Sequence, residues 1–114
     1  DEPLTSGGLD LGPNPYEYLL SSLGSCTSMT IRMYANRKKL KLENIEIRLR
    51  HSRIHAEDCI ECESADGMVD RIEKTIQLEG VLSADERQRL LEIANKCPVH
   101  KTLHNEIIIE SRLI

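Results

Sequence analysis

The residues able to do chemistry in this chain are few: four cysteines, at 26, 59, 62 and 97, and four histidines, at 51, 55, 100 and 104. Cys97 stands in "NKCPVHKTL", directly before a proline. Proline is disfavoured inside a helix but suits its first position, so Cys97 is expected at a junction, capping a short helix over Val99 to Leu103. There the sulfur would feel the positive end of the helix dipole and nearby free N–H groups, which favour the thiolate. His100, three residues on, could poise it further as a base or a cation. The competing reading is a buried structural thiol at a helix break, and this segment alone leaves the two open. Cys26, in "SLGSCTSM", lies some three turns inside a helix and draws little on that helix's dipole. Its thiolate would need a cation from elsewhere, and by position alone the thiol reads as core filling.

A third set lies in "HSRIHAEDCIEC". His51, His55, Cys59 and Cys62 have the residue types and loose spacing of a zinc site, and the Cys-x-x-Cys is alternatively an accessory redox pair. Against both stands a bland reading, in which the histidines are solvated strand residues and the cysteines are loop positions. His100 and His104, one turn apart, offer with Cys97 a second, smaller ligand set.

The elements that would position these groups are marked by local signals. Asn14, Pro15 and Glu17 form a strong helix start: an N-cap, a proline at the first helical position, and an acid placed to reach back to the cap. The helix should run to about Asn36 or Lys39, with Leu19, Leu20, Leu23, Cys26, Thr27, Thr30, Met33 and Tyr34 recurring at three and four. Cys26 therefore lies on or beside the buried stripe, and Ser21, Ser22, Gly24, Ser25 and Ser28 would let another backbone approach closely. Alternation predicts a strand from Ile45 to His51, extending as far as Ile54, and a second over "VDRIEKTIQLEG", closed by Gly80. "AEDCIECESADG" between them reads as a loop or hairpin connection. "SADE" at 83–86 is another capping box, opening a helix to about Lys96, and a third strand is expected from Glu106 to Leu113. Helix, strand, strand, helix, strand, without repeats, predicts an α+β arrangement of helices on a mainly antiparallel sheet.

Composition narrows the function classes. The chain has 114 residues, 39% hydrophobic and 30% charged, which suits one domain over 1–114 with a single core. It has no Phe or Trp and a formal net charge of -4, so stacking platforms and a basic face for nucleic acid are both missing. The one basic cluster, Arg37, Lys38, Lys39 and Lys41, complements a helix end. No apolar run approaches a membrane span, no basic-then-apolar leader opens the chain, and the cysteines are too sparse for a disulfide-rich secreted scaffold. A cytoplasmic protein is the expectation. "DEPLTSGG" opens without a strand or helix signal and looks cut from something longer.

"GPNPYEYLLSSLGSCTSMT" together with "LLEIANKCPVHKTL" resembles the two signature segments of the OsmC/Ohr family, the osmotically inducible and organic hydroperoxide resistance proteins. The resemblance covers nearly the whole chain: a long helix opened by Asn-Pro, a cysteine eleven residues after that proline, two strands, a helix, and a Cys-Pro at the next helix start. It implies a single OsmC-like domain lacking N-terminal strands, in an intertwined homodimer whose long central helices are enclosed by sheets. It also implies thiol-dependent reduction of organic hydroperoxides, with Cys26 matching the peroxidatic cysteine and Cys97 the resolving one. The Cys26 thiolate would become a sulfenic acid, Cys97 would condense with it to a disulfide, and a dithiol reductant, in the family often lipoyl-linked, would reopen the bond. No cofactor is required by this chemistry.

Some positions depart from the family pattern. Glu is usual directly after the helix-opening proline, where this chain has Tyr16, with Glu17 one place later. At about 100° per residue, Glu17 lies on the far side of the helix from Cys26, so capping explains it better than an activating contact, although it stays a candidate. The family's arginine near the peroxidatic thiol comes from a strand before the central helix, upstream of Asp1, and Cys-Pro-Val-His replaces the more usual Cys-Pro-Tyr-Ser. The rival to a peroxidase is a binding or sensing module on the same fold, metal-binding through His51, His55, Cys59 and Cys62.

Overall fold

The computed structural model describes residues 1–59 and 67–114. Helix α1 spans Pro15–Arg37, strand β1 Lys41–His55, strand β2 Met68–Val81, helix α2 Ala84–Ala94 and helix α3 Pro98–His104, with short 3-10 turns at Leu4–Ser6 and Ala56–Asp58. The fold is α+β, with β1 and β2 pairing in a two-stranded antiparallel sheet. Residues divide into two compact units, Asp1–Gly24 with Ile47–Gln77, and Ser25–Glu46 with Leu78–Ile114.

In the first unit α1 starts on the box its sequence encodes. The Asn14 side chain accepts from the Glu17 N–H at 2.9 Å, and the Asn14 N–H donates to the Glu17 carboxylate at 2.8 Å. These bonds satisfy donors that a helix start otherwise leaves without partners. Gly24 faces β1, where an added Cβ would come within 2.9 Å of the Leu49 side chain. The small residue permits the close approach that the serine-rich helix suggested. At the far end of the hairpin, Ala56 is buried and its N–H donates to the Gly67 carbonyl.

Among the described residues the second unit holds most of the buried side chains. Thr27, Ile31 and Ala35 recur every four residues along α1 and are wholly buried, in the unit that also buries Leu42 of β1, Leu90, Ile93 and Ala94 of α2, and Cys97. Burial of Ile31 or Leu90 stabilises by about 2 kcal/mol each. Lys39, left-handed at φ 55°, ends α1: the Leu40 N–H donates to the Ala35 carbonyl and the Lys39 N–H to that of Asn36. Arg32 donates to the carbonyls of Leu42 and Glu43, and Arg87 to those of Leu78 and Gly80, so guanidinium groups brace each helix to the strand beside it. Helix α2 opens on the expected capping box between Ser83 and Glu86.

Two expectations need correction. Strand β1 begins at Lys41 rather than Ile45, because its first residues meet the end of β2, where a Cβ on Gly80 would lie 2.1 Å from the Lys41 carbonyl oxygen. The third strand expected from Glu106 to Leu113 does not form: no strand follows α3. A strand needs an edge to pair with. Ile108 and Ile109 are more than four-fifths exposed, so the apolar pattern read as strand is present without a partner.

Candidate active site

The site grows from the α2–α3 junction. Helix α2 ends at Ala94, Pro98 takes the first helical position of α3, and Cys97 is left as the N-cap residue, with the extended backbone of a cap. Its sulfur accepts the His100 N–H at 3.2 Å and lies 3.5 Å from the Thr27 hydroxyl oxygen. Cys97 and Thr27 are both fully buried, and Cys97 is a free thiol. The sequence expectation of a capping cysteine is met. The contact with His100, however, comes from its backbone N–H.

Cys26 is the residue before Thr27, about 100° around α1, and its thiol is free and half-buried. The burial stripe runs through Thr27, so Cys26 lies beside the core rather than in it. Met33, two turns on, falls within about 20° of the Cys26 direction and Met29 within about 60°; these methionines are 70% and 63% exposed. Ser28, Met29, Arg32 and Met33 of α1 line an open groove of about 410 Å³ with Asn44 and Ile45 of β1. Within the second unit the residue after Cys26 thus carries the hydroxyl that meets the Cys97 sulfur, while Cys26 shares its side of α1 with the exposed Met33.

Other contacts hold several of the remaining candidates. Glu17 places its carboxylate on the Asn14 N–H, in the cap. His51 stacks on Tyr16, with ring centroids 4.5 Å apart and planes 10° from parallel, and its Nε2 lies 2.9 Å from the Asp70 carboxylate, which Arg53 also approaches. Tyr16 therefore has its own partner, one that the period-2 pattern of β1 does not disclose. His55 is exposed, Cys59 is disulfide-bonded, and Cys62 lies outside the described residues. The rings of His100 and His104 lie 6.1 Å apart on α3. Among the described residues no group of three or more His, Cys, Asp or Glu side chains is arranged to hold a metal ion.

The contact of Thr27 with Cys97 is not disclosed by the sequence. The sequence shows only a hydroxyl on the buried stripe of a helix, where a polar side chain needs a partner.

A long helix joined to an antiparallel hairpin, with two free thiols in one compact unit, defines an α+β protein equipped for thiol chemistry. The sequence profile of the OsmC-like proteins matches residues 7–112, and the chain belongs to that family. Solved structures share the fold. An OsmC-like hydroperoxide resistance protein from Jannaschia sp. CCS1 is 24% identical with a TM-score of 0.69, covering 94% of this chain and 69% of its own. An organic hydroperoxide resistance protein OsmC from Legionella pneumophila is 21% identical with a TM-score of 0.66, covering 90% and 69%. An OsmC-like protein from Mycoplasma pneumoniae gives 21% and 0.66, covering 90% and 68%. No curated protein matches the sequence. Among the described residues no helix is long and apolar enough to cross a membrane.

Proposed function

We propose that the chain is a thiol peroxidase that reduces organic hydroperoxides in the cytoplasm, with Cys26 as the attacking thiol and Cys97 as the resolving one. The observation that carries this reading is the contact between the Cys97 sulfur and Thr27, the residue after Cys26, with both thiols free. The Cys26 thiolate attacks the distal peroxide oxygen, the O–O bond breaks, and an alcohol leaves after taking a proton, with the sulfur left as a sulfenic acid. Cys97 then displaces hydroxide from that sulfur to give a disulfide, which a dithiol reductant reopens by exchange. Met29, Met33 and Ile45 offer apolar surface to the organic portion of such a substrate, in a groove that Ser28, Arg32 and Asn44 also line.

Two copies complete the functional unit. Each chain exposes the Met29 and Met33 side of α1 and the apolar segment Ile107–Ile109, surfaces that association would cover.

The test is stoichiometric cumene hydroperoxide added to reduced protein, followed by mass spectrometry of the cysteine peptides. A Cys26–Cys97 disulfide, lost in Cys26→Ser, is expected. Oxidation confined to Cys59 and Cys62 would eliminate the reading and leave a sensing or metal-binding module on the same fold.

A further inference from the structure

Cys97 must attack as a thiolate, yet its sulfur is fully buried, and burial among apolar groups favours the neutral thiol. The His100 N–H and the Thr27 hydroxyl both stand against the sulfur. An N–H only donates. A hydroxyl carries one donor and two acceptor lone pairs, and its hydrogen rotates to suit the partner. Thr27 can therefore accept the S–H of the thiol and donate to the same sulfur once the proton has gone.

We propose that Thr27 is the positioning residue of the resolving step: it holds the Cys97 sulfur against α1 beside Cys26 and stabilises it as the thiolate. This rests on the reading of Cys26 and Cys97 given above. Three features make the placement specific. Thr27 is fully buried, so its bond to sulfur is screened from competing water. It follows Cys26 on a rigid helix, so wherever α1 carries the sulfenic acid, the hydroxyl that anchors the attacking sulfur is one residue away. It also faces about 100° from Cys26, so the contact holds the sulfur next to its target without occupying the attack position.

The step balances without a further reagent. Cys97 gives up its thiol proton, its sulfur lone pair forms the S–S bond to Cys26, and the S–O bond of the sulfenic acid breaks. The departing hydroxide takes up one proton and leaves as water. The oxidation first carried by Cys26 alone is then shared by the two sulfurs.

Valine has nearly the shape of threonine without the hydroxyl, so Thr27→Val isolates the hydrogen bond, and Thr27→Ser restores it. In the first experiment, Cys97 in reduced Cys26→Ser protein is titrated by thiolate ultraviolet absorbance, with Cys26→Ser/Cys97→Ser as the blank. Adding Thr27→Val should raise the Cys97 pKa by about one unit, a roughly tenfold loss of thiolate below the pKa, and adding Thr27→Ser should return it most of the way. In the second, protein carrying both thiols is mixed with one equivalent of cumene hydroperoxide, and sulfenic acid and disulfide are followed by quenched mass spectrometry across pH. Thr27→Val should form the Cys26 sulfenic acid at the wild-type rate but close the disulfide about tenfold more slowly near neutral pH, with the deficit shrinking as pH rises.

An unchanged Cys97 titration and an unchanged closing rate in folded Thr27→Val would overturn the proposal. Equal slowing at all pH values, with Thr27→Ser no better than Thr27→Val, would also overturn it by reducing Thr27 to packing. If wild-type protein never forms the Cys26–Cys97 bond, the peroxidase reading fails instead. The titration separates that case, because it reads the Thr27–Cys97 contact without peroxide.

Discussion

Glu17 offers the sharpest test of how this site differs from the pattern its family suggests. An acid near the start of the central helix is a candidate activator of the attacking thiol, but the Glu17 carboxylate accepts the Asn14 N–H at 2.8 Å at an exposed helix start. If capping is its whole role, Glu17→Gln keeps a side-chain acceptor able to reach back to Asn14 and loses only the charge–dipole interaction, about 0.5 kcal/mol. Glu17→Ala loses the exposed hydrogen bond as well, for a total of about 1 kcal/mol, or about 4 °C in a domain of this size. Neither change should alter the peroxide reduction rate per folded molecule. The measurement pairs thermal denaturation with the initial rate of cumene hydroperoxide consumption at a temperature where all variants are folded. A tenfold loss of rate in fully folded Glu17→Gln would refute the reasoning, because a cap affects only stability whereas an acid acting on Cys26 would set the rate.

Two further predictions concern the frame and the metal candidates. Gly80 sits at φ 149° with its Cα hydrogen directed at the Lys41 carbonyl oxygen, so Gly80→Ala places a methyl 2.1 Å from that atom and should destabilise by roughly 2–4 kcal/mol, as chemical denaturation will read. Zinc titrated into fully reduced protein should find no stoichiometric, chelator-sensitive site at His51, His55, Cys59 and Cys62, because the His51 ring is already stacked on Tyr16 and paired with Asp70; tight binding of one equivalent, lost in His51→Ala, would restore that ligand set.

What the sequence disclosed divides along the range of the interactions involved. The cap at Asn14 and Glu17, the box at Ser83 and Glu86, and the Cys97–Pro98 helix start all act within three residues, and each formed where the residue types placed it. The hairpin was legible from period-2 alternation, but its starting residue was not. Lys41 joins β1 through a partner at Gly80, and "KLEN" alone gives no alternation to read. Thr27 was visible as part of the buried stripe, whereas its contact with Cys97 spans 70 residues and is set by how α2 and α3 return to α1. Tyr16 shows in the sequence as a departure from a familiar glutamate, whereas its stack on His51 depends on where β1 passes that turn of the helix.

The missing third strand makes the most informative discrepancy, since "EIIIESRL" has the composition of a strand and lies exposed. Alternation divides Glu106 to Leu113 into one face with Ile107, Ile109, Ser111 and Leu113 and another with Glu106, Ile108, Glu110 and Arg112. The first face is apolar and the second charged, the pattern of a half-buried strand at the side of a sheet. A two-stranded sheet is itself only marginally stable and leaves unpaired edges, so both the segment and the sheet would gain from a further strand, which in the proposed dimer a second copy would supply. The two faces make this testable. If the proposed dimer forms through this strand, Ile109→Lys buries a charge in the apolar face and should give a monomer, whereas Ile108→Lys adds a charge to the charged face and should leave the mass unchanged. Sedimentation equilibrium of both variants reads the outcome, and an equal response to the two substitutions would mean that the segment does not associate as a strand.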